Sequence, residues 1–423
     1  MAREVAASIE AVWRIESGRI VGPVARLVHD IGLAEDLAQE ALVAALEHWP
    51  GAGVPENPGA WLMTAARNKA LDRLRLQALQ ARKHNELGAD ADARCDHVEP
   101  DFVDALDAAR SDDIGDDLLR LIFTACHPVL QKDAQAALAL KLLGGLSTPE
   151  IARAYMVPET AIAQRIVRAK KTLSQAGVPF EVPRGGQRIV RLAGVMEVIY
   201  LIFNEGFAAT SGPSWMRPAL CDEALRLARM LAAILPHEPE AQGLQALLEL
   251  QASRLRARTD AQGRPVLLMD QDRARWDHLL IDRGLAALER AQALAQPLGS
   301  YALQAAIAAC HARAVTPEET DWQAIAAWYD ELAERMPSPV VELNRSVAIG
   351  MAYGPEAALP LVEALAAEAL MQRYGLLHAV RGDLLARLGR AAEACEAFER
   401  AAGLATNEQD RGLMRRRAAA LRS

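Results

Sequence analysis

Apolar residues recur along this chain at spacings of three and four, the period of amphipathic helices packed on a core. Gly32 to Trp49 reads as one such helix, with Leu37, Ala41, Ala45 and His48 on one side. Asp36, Gln39, Glu40, Val43 and Glu47 gather on another side. The stretch Pro50 to Gly59, with three prolines and three glycines, predicts a loop. Asn57 before Pro58 is a helix start, with Asn as N-cap and Pro at the first helical position. The helix from Pro58 to about Leu76 has a core stripe of Met63, Ala66, Ala70 and Leu74. Its opposite side carries Trp61, Thr64, Asn68, Asp72 and Arg75.

Farther along, Asp117 to Cys126 and Ala134 to Leu143 predict two more amphipathic helices. After them Ser147 and Glu150 have the S-x-x-E spacing of a capping box, with Pro149 tolerated in the first turn. The short helix from Thr148 ends near Tyr155, Met156 and Val157 turn the chain, and Pro158 restarts it. In the second helix Ile162, Ile166, Ala169 and Leu173 form the apolar stripe, while Thr160, Gln164, Val167 and Lys171 face the other way. A short helix, a tight turn and a longer basic helix is the geometry that presents a recognition helix to the major groove.

Composition narrows the fold. Of 423 residues, 51% are apolar and only 4% aromatic, and the apolar weight is mainly Ala and Leu. That predicts an all-α protein of several domains. The net charge of -8 hides a division of labour. Residues 76–117 carry 4 basic and 12 acidic side chains, whereas residues 118–175 carry 8 basic and 3 acidic ones. The acidic stretch lacks apolar periodicity and reads as a self-repelling linker, and the basic module beside it suits contact with phosphates. A second boundary falls at Gly177 to Gly186, where two prolines and three glycines end a helical pattern. The expected division is a first module at 1–76, a linker at 77–112, a helix-turn-helix module at 113–176 and a long third module at 187–423.

Several classes are disfavoured. Met1 to Arg14 has acids and no apolar core of a signal peptide, and Ala193 to Phe203 is interrupted by Glu197 and too short to span a bilayer. The five scattered cysteines, without a CxxC, read as reduced thiols of a cytoplasmic protein. No Walker loop, GxGxxG or GxSxG occurs, and none of the nine histidines has HExxH spacing. No enzymatic role, cofactor, metal or membrane association is therefore expected.

Within the recognition helix Thr160 and Gln164 are placed for base edges, and Arg168, Lys170 and Lys171 for phosphates. In the first module Trp61 beside Asn68 and Arg75 could stack on an unpaired base, or pack on the preceding loop. Arg67, Lys69, Arg73 and Arg75 concentrate positive charge on the same helix. The face around Val43 is either a solvated acidic surface or a docking surface with an apolar centre.

Both modules, in this order, resemble a sigma-70 type RNA polymerase sigma factor of the extracytoplasmic-function group. The resemblance is carried by Ala34-Glu-Asp-Leu-Ala-Gln-Glu40, by Trp61-Leu-Met-Thr-Ala-Ala-Arg-Asn-Lys-Ala-Leu-Asp-Arg-Leu-Arg75, and by the helix-turn-helix with its R-x-x-R-A-K ending at Arg165 to Lys170. It implies that Asp36, Gln39, Glu40 and Val43 bind core RNA polymerase. It implies that Asn57 in its loop and the helix with Trp61, Arg67, Asn68, Asp72 and Arg75 capture the promoter -10 element. It implies that Thr160, Gln164, Arg165, Arg168, Lys170 and Lys171 contact the -35 element, with the linker threading through the polymerase. Val43 stands where the group usually has an aromatic, and Ala163-Gln164 stands where many relatives have Lys-Ser.

The chain continues for about 240 residues beyond this match, which resembles the subgroup with a tetratricopeptide-like C-terminal extension. Tyr200 to Phe207 and Ser211 to Pro213 look like that subgroup's junction. In Tyr374 to Asn407, Gly382, Leu385, Ala394, Phe398 and Ala401 fit the small and large positions of a helical-hairpin repeat. Pro218 to Leu235 with Pro239 to Arg256, and Asn344 to Val362 around Gly354-Pro355, read as further hairpins. Such a stack offers a groove for a protein partner or an intramolecular contact, or serves as a scaffold. The tail from Asp410, with five arginines, reads as a capping helix or a contact for the linker or DNA. The expected function is a promoter-specificity subunit controlled by its extension; a free-standing helix-turn-helix regulator and a repeat-type adaptor are the rivals.

Overall fold

The computed structural model describes residues 2–88, 113–155, 157–208, 215–294, 297–405 and 407–422. These residues are helical apart from short turns and one isolated bridge, Thr259 to Pro265. The all-α expectation holds. The chain divides into two compact units, Met1–Val198 and Ile199–Ser423.

In the first unit, α1 (Ala2–Val28) buries Ile9, Trp13, Ile20, Val21 and Val24. A left-handed His29 (φ 53°) then turns the chain into α2 (Ile31–Ala52). Asp30 caps α2 by accepting from the Leu33 amide at 2.9 Å. The helix runs through Pro50 into the stretch expected to be a loop. Its buried side holds Leu37, Ala41 and Ala45 as expected, but His48 is exposed and Trp49 takes the core position.

Asn57 accepts from the Ala60 amide at 3.1 Å and opens α3 (Pro58–Gly88), at the expected start. The helix continues past Leu76, its expected end, to Gly88. The reason is local: residues 77–87 contain no Gly or Pro and are rich in Ala, Leu, Gln, Arg and Lys, all good helix formers. The rest of the expected linker, 89–112, lies outside the described residues.

The second module is α4 (Asp113–Ala125), α5 (Lys132–Leu142), α6 (Thr148–Tyr155) and α7 (Glu159–Gln175). It packs onto the first through α1 and α4. A Cβ on Gly18 would lie 2.9 Å from Leu118 Cδ1, and one on Gly22 would lie 3.1 Å from the Asp117 backbone, so the two helices approach closely at these glycines. Asp117, which falls in the acidic stretch of the sequence, is buried in that seam. It pairs with Arg120 at 2.6 Å and with Arg26 of α1 at 3.5 Å.

The unit boundary falls inside α8 (Gly185–Phe207). Its first half is held by Arg191, which donates to the Phe123 carbonyl at 2.8 Å and stacks on that ring, and by Glu197 with Lys132 at 2.7 Å. Its second half belongs to the second unit, where Tyr200 donates to Gln304 at 3.2 Å.

The second unit stacks α9 (Pro218–Ile234), α10 (Pro239–Ala252), α11 (His278–Leu294), α12 (Ser300–Arg313), α13 (Trp322–Arg335), α14 (Pro339–Tyr353), α15 (Pro355–Ala366), α16 (Gly375–Arg387), α17 (Ala391–Leu404) and α18 (Glu408–Ala420). Each helix packs on its neighbours in sequence, and α10 also packs on α12. In the hairpin α16–α17, Gly382 faces the Phe398 ring, and a Cβ there would approach ring carbons to 2.8 Å. Residues 253–277 are a crossing of turns and three short 3-10 helices, Leu255–Ala257, Leu268–Asp270 and Arg273–Arg275, pinned by buried arginines. Arg258 lies between the Phe207 and Trp215 rings, and Arg273 donates to the carbonyls of His311 and Ala314 and to Thr320. Arg417 of the basic helix α18 pairs with Asp383, and Arg422, just past its end, pairs with Glu399, both acids on helices of the same unit. Among the described residues no helix is long and apolar enough to cross a membrane.

Candidate nucleic-acid interface

The helix-turn-helix forms where its local chemistry places it. Glu150 accepts from the Ser147 amide at 2.8 Å and from its hydroxyl at 2.7 Å, while the Glu150 amide donates back to Ser147 Oγ at 3.4 Å. This reciprocal box satisfies amides that the first turn of α6 would leave open. The Val157 amide closes the turn on the Ala152 carbonyl at 3.0 Å, and α7 follows with Pro158 at its cap.

Ile162, Ile166, Ala169 and Leu173 are the buried residues of α7, the four that the spacing predicts. Thr160, Gln164, Val167, Arg168 and Lys171 are exposed on the opposite side, and Val167 is 63% exposed. An apolar side chain this open, ringed by polar and basic ones, makes a surface that can follow a groove lined with base edges and phosphates. Arg165 is half-buried and sits 3.8 Å from Asp133 of α5.

Lys170 behaves differently. It turns away from the exposed face and pairs with Glu35 of α2, with Asp36 a further 3.4 Å contact. Lys141 of α5 reaches the same Glu35 carboxylate at 3.4 Å. Glu35 is only 5% exposed. Burial pushes its carboxyl up, but the two lysines more than offset this and hold it below the usual carboxylate range.

On α2, Asp36, Glu40 and Val43 are exposed and Gln39 is half-buried, so the expected face exists. Glu40 accepts from Lys69 of α3 at 3.2 Å. On α3, Asn68, Asp72 and Arg75 are exposed, and Arg75 pairs with Asp72 at 3.2 Å. Arg67 is half-buried. Trp61 is half-buried too: its ring meets Trp49 edge-on at 5.4 Å and lies near-parallel to His48 at 6.4 Å. The Trp61 ring packs on the end of α2 and keeps part of its surface open.

Sequence reasoning assigned no role to Glu35 or Lys141. The available signal was an acid flanked by Ala34, Leu37 and Ala38 on the buried side of α2, a position that carboxylates occupy only when paired. It also missed the arginines that stack on aromatic rings in the second unit. At Arg258, burial foremost and then the neighbouring Arg254 push the guanidinium down to about 9.

A helix-turn-helix with a basic outer face, joined to a helical module with an acidic face and a polar-aromatic face, defines an all-helical DNA-binding transcription protein. Comparison with known families is consistent with that class. Residues 15–79 match Sigma-70 region 2, residues 120–173 match Sigma-70 region 4, and residues 191–292 match a family of unknown function, DUF6596. An uncharacterized protein of Rhizobium meliloti (strain 1021) is 47% identical over 396 residues, covering 93% of this chain and 91% of its own. The ECF RNA polymerase sigma factor SigL of Mycobacterium tuberculosis is 31% identical over 159 residues, 36% of this chain and 81% of its own. SigK of Mycobacterium ulcerans is 28% identical over 159 residues, 37% of this chain and 78% of its own. The chain belongs to the ECF sigma factors of the sigma-70 family, with a long C-terminal extension.

Proposed function

We propose that this protein gives bacterial RNA polymerase its promoter specificity in the cytoplasm, as a non-catalytic subunit whose extension controls its activity. The observation that carries the reading is the ordered pair of sigma-70 regions, each with an exposed face of the right chemistry. Asp36, Gln39, Glu40 and Val43 are the surface for core polymerase. Val43, 51% exposed among acids, supplies the apolar centre that such docking faces use.

The -10 element is taken by Asn57, Trp61, Arg67, Asn68, Asp72 and Arg75, where a part-open indole beside amide and guanidinium groups suits an unpaired base. Thr160 and Gln164 read -35 base edges. Arg165, Arg168 and Lys171 hold phosphates, and Lys170 joins them once it leaves Glu35.

The helical extension is the regulatory part. Its hairpins α9–α10, α14–α15 and α16–α17 expose successive helix surfaces of the kind that bind a peptide or protein partner. Run-off transcription with core polymerase and promoters from the native genome tests the function. Initiation that depends on this protein is the expected result. Absence of initiation at every promoter, or specific duplex binding that ignores core polymerase and changes at Asp36 or Glu40, overturns it.

A further inference from the structure

Elsewhere in the second unit, arginines drawn in from the surface meet oxygen acceptors. Arg229 pairs with Glu249, Arg217 with Glu205, and Arg273 donates to two carbonyls and the Thr320 hydroxyl. Arg254 and Arg258, four residues apart just past α10, differ. Both set their guanidinium groups against the Phe207 ring, with Cζ 5.1 and 3.4 Å from its centroid. Arg258 is 6% exposed and also lies 4.4 Å from the Trp215 ring. Neither forms an ion pair with a carboxylate among the described residues. Asp410 acts on Arg258 only through space, and its carboxylate accepts from the Trp215 indole at 2.9 Å. Arg254 Nε and Nη2 donate to Gln251, and Arg258 Nη1 donates to the Phe207 carbonyl. Arg254 Nη1, with Arg258 Nε and Nη2, donates to no described group.

We propose that Arg254 and Arg258 form a binding site in the extension for a small oxyanion carrying two negative charges, of the phosphate or dicarboxylate class. Two guanidinium groups beside one ring repel each other and lose water, and the ring face offsets only part of that cost. Burial foremost pushes Arg254 down to about 10, and burial and then Arg254 push Arg258 down as well. A bound dianion cancels the repulsion and accepts from the open N–H groups, whose forked geometry suits two oxygens of one anion. The Tyr329 hydroxyl, which donates to no described group and lies within the field of Arg254, adds a neutral donor. Arg254, Phe207, Tyr200 and Tyr329 are half-buried, so the cluster is reached from solvent, whereas the burial of Arg258 shuts out a duplex backbone. Arg258 holds the Phe207 carbonyl at the end of α8, the helix shared by both units. The site lies wholly outside the residues given to polymerase and promoter, so it stands apart from the functional reading above.

The test is calorimetric titration of the full-length protein with inorganic phosphate and with succinate, each against chloride at matched ionic strength. The pH is set above neutrality, where phosphate is mainly a dianion. At least one of the two is expected to saturate a single site, and the tighter one identifies the class. Arg254→Gln and Arg258→Gln are each expected to weaken that binding by about tenfold or more. Arg264→Gln, an exposed arginine of the same crossing paired with Asp260, is expected to leave it unchanged. Tyr329→Phe is expected to weaken it several-fold. If Arg258→Gln does not fold, the half-buried Arg254 carries the test. Thermal unfolding of the unsubstituted chain gives a second reading, because the dianion should raise the midpoint with concentration and chloride should not. The absence of saturable binding by either dianion, or binding undiminished in folded Arg254→Gln, overturns the proposal. Polymerase and promoter take no part in these measurements, so failure of the functional reading shows separately, in transcription.

Discussion

At the scale of single residues, the informative groups are charged side chains in places where charge is costly. Glu35 is the clearest case, because burial pushes its carboxyl up and two lysines more than offset that. A carboxyl held below its ordinary value stabilises the fold above that value, and the contribution is lost as pH falls through the depressed one. Acid should therefore weaken the pairing of Glu35 with Lys141 and Lys170. His311 works through burial with the same sign. Burial, then Arg254 and Arg273, push it down to about 3, so the folded chain holds it neutral while the unfolded chain takes up a proton near pH 6.5. Its contribution is complete above that pH and declines toward the folded value. Urea unfolding of the wild type at pH 7 and pH 5 should show about 2 kcal/mol lost through this group. The variant His311→Gln should lose that much less, and an equal loss would show that His311 does not remain neutral.

At the scale of elements, the helix-turn-helix was legible because its determinants are local. Ser147 and Glu150 lie three apart, Pro158 marks the restart, and the four apolar residues of α7 follow the helical period. Ser147→Ala should cost about 1 kcal/mol of stability by removing the cap, measured by thermal unfolding of the whole chain. On the outer face, Arg168→Ala should weaken promoter binding about equally across sequences. Gln164→Ala should relax preference at one position by about 1–3 kcal/mol, read from competition binding by the polymerase complex. Gly382 was readable too, as the small partner of Phe398, and Gly382→Ala should destabilise the second unit by about 1–3 kcal/mol through overpacking. The end of α3 lies beyond the expected Leu76, because the acidic stretch opens with a run of good helix formers reaching Gly88.

At the scale of the whole molecule, the chain joins a compact unit carrying both sigma regions to a helical unit of comparable length. The change of unit occurs within α8, a helix that the sequence punctuates only at its start, after Gly177 to Gly186. Removing residues 199–423 should alter transcription from the cognate promoter by several-fold. Unchanged output and unchanged response to the cell's signal would show that the extension is not regulatory. Arg417 of α18 and Arg422 just beyond it are engaged with Asp383 and Glu399, so neutralising those acids should destabilise the extension without a direct effect on promoter binding.

The sequence by itself determined the all-helical class, the capping box and turn of the DNA-reading module, the acidic and polar-aromatic faces, and the motifs that mark the family. Each of these follows from residues within one or two helical turns of each other, where period, caps and charge act locally. Only the tertiary structure decided what becomes of Glu35, Lys141, Lys170 and Asp117. Glu35 and Lys170 are 135 residues apart in the chain, and no local spacing brings them together. That meeting depends on how two modules pack, on the close approach of α1 and α4 at Gly18 and Gly22, and on the cost of burying a carboxylate without a cation beside it. The same packing turned a lysine that reads as a phosphate contact into a tie between the two faces.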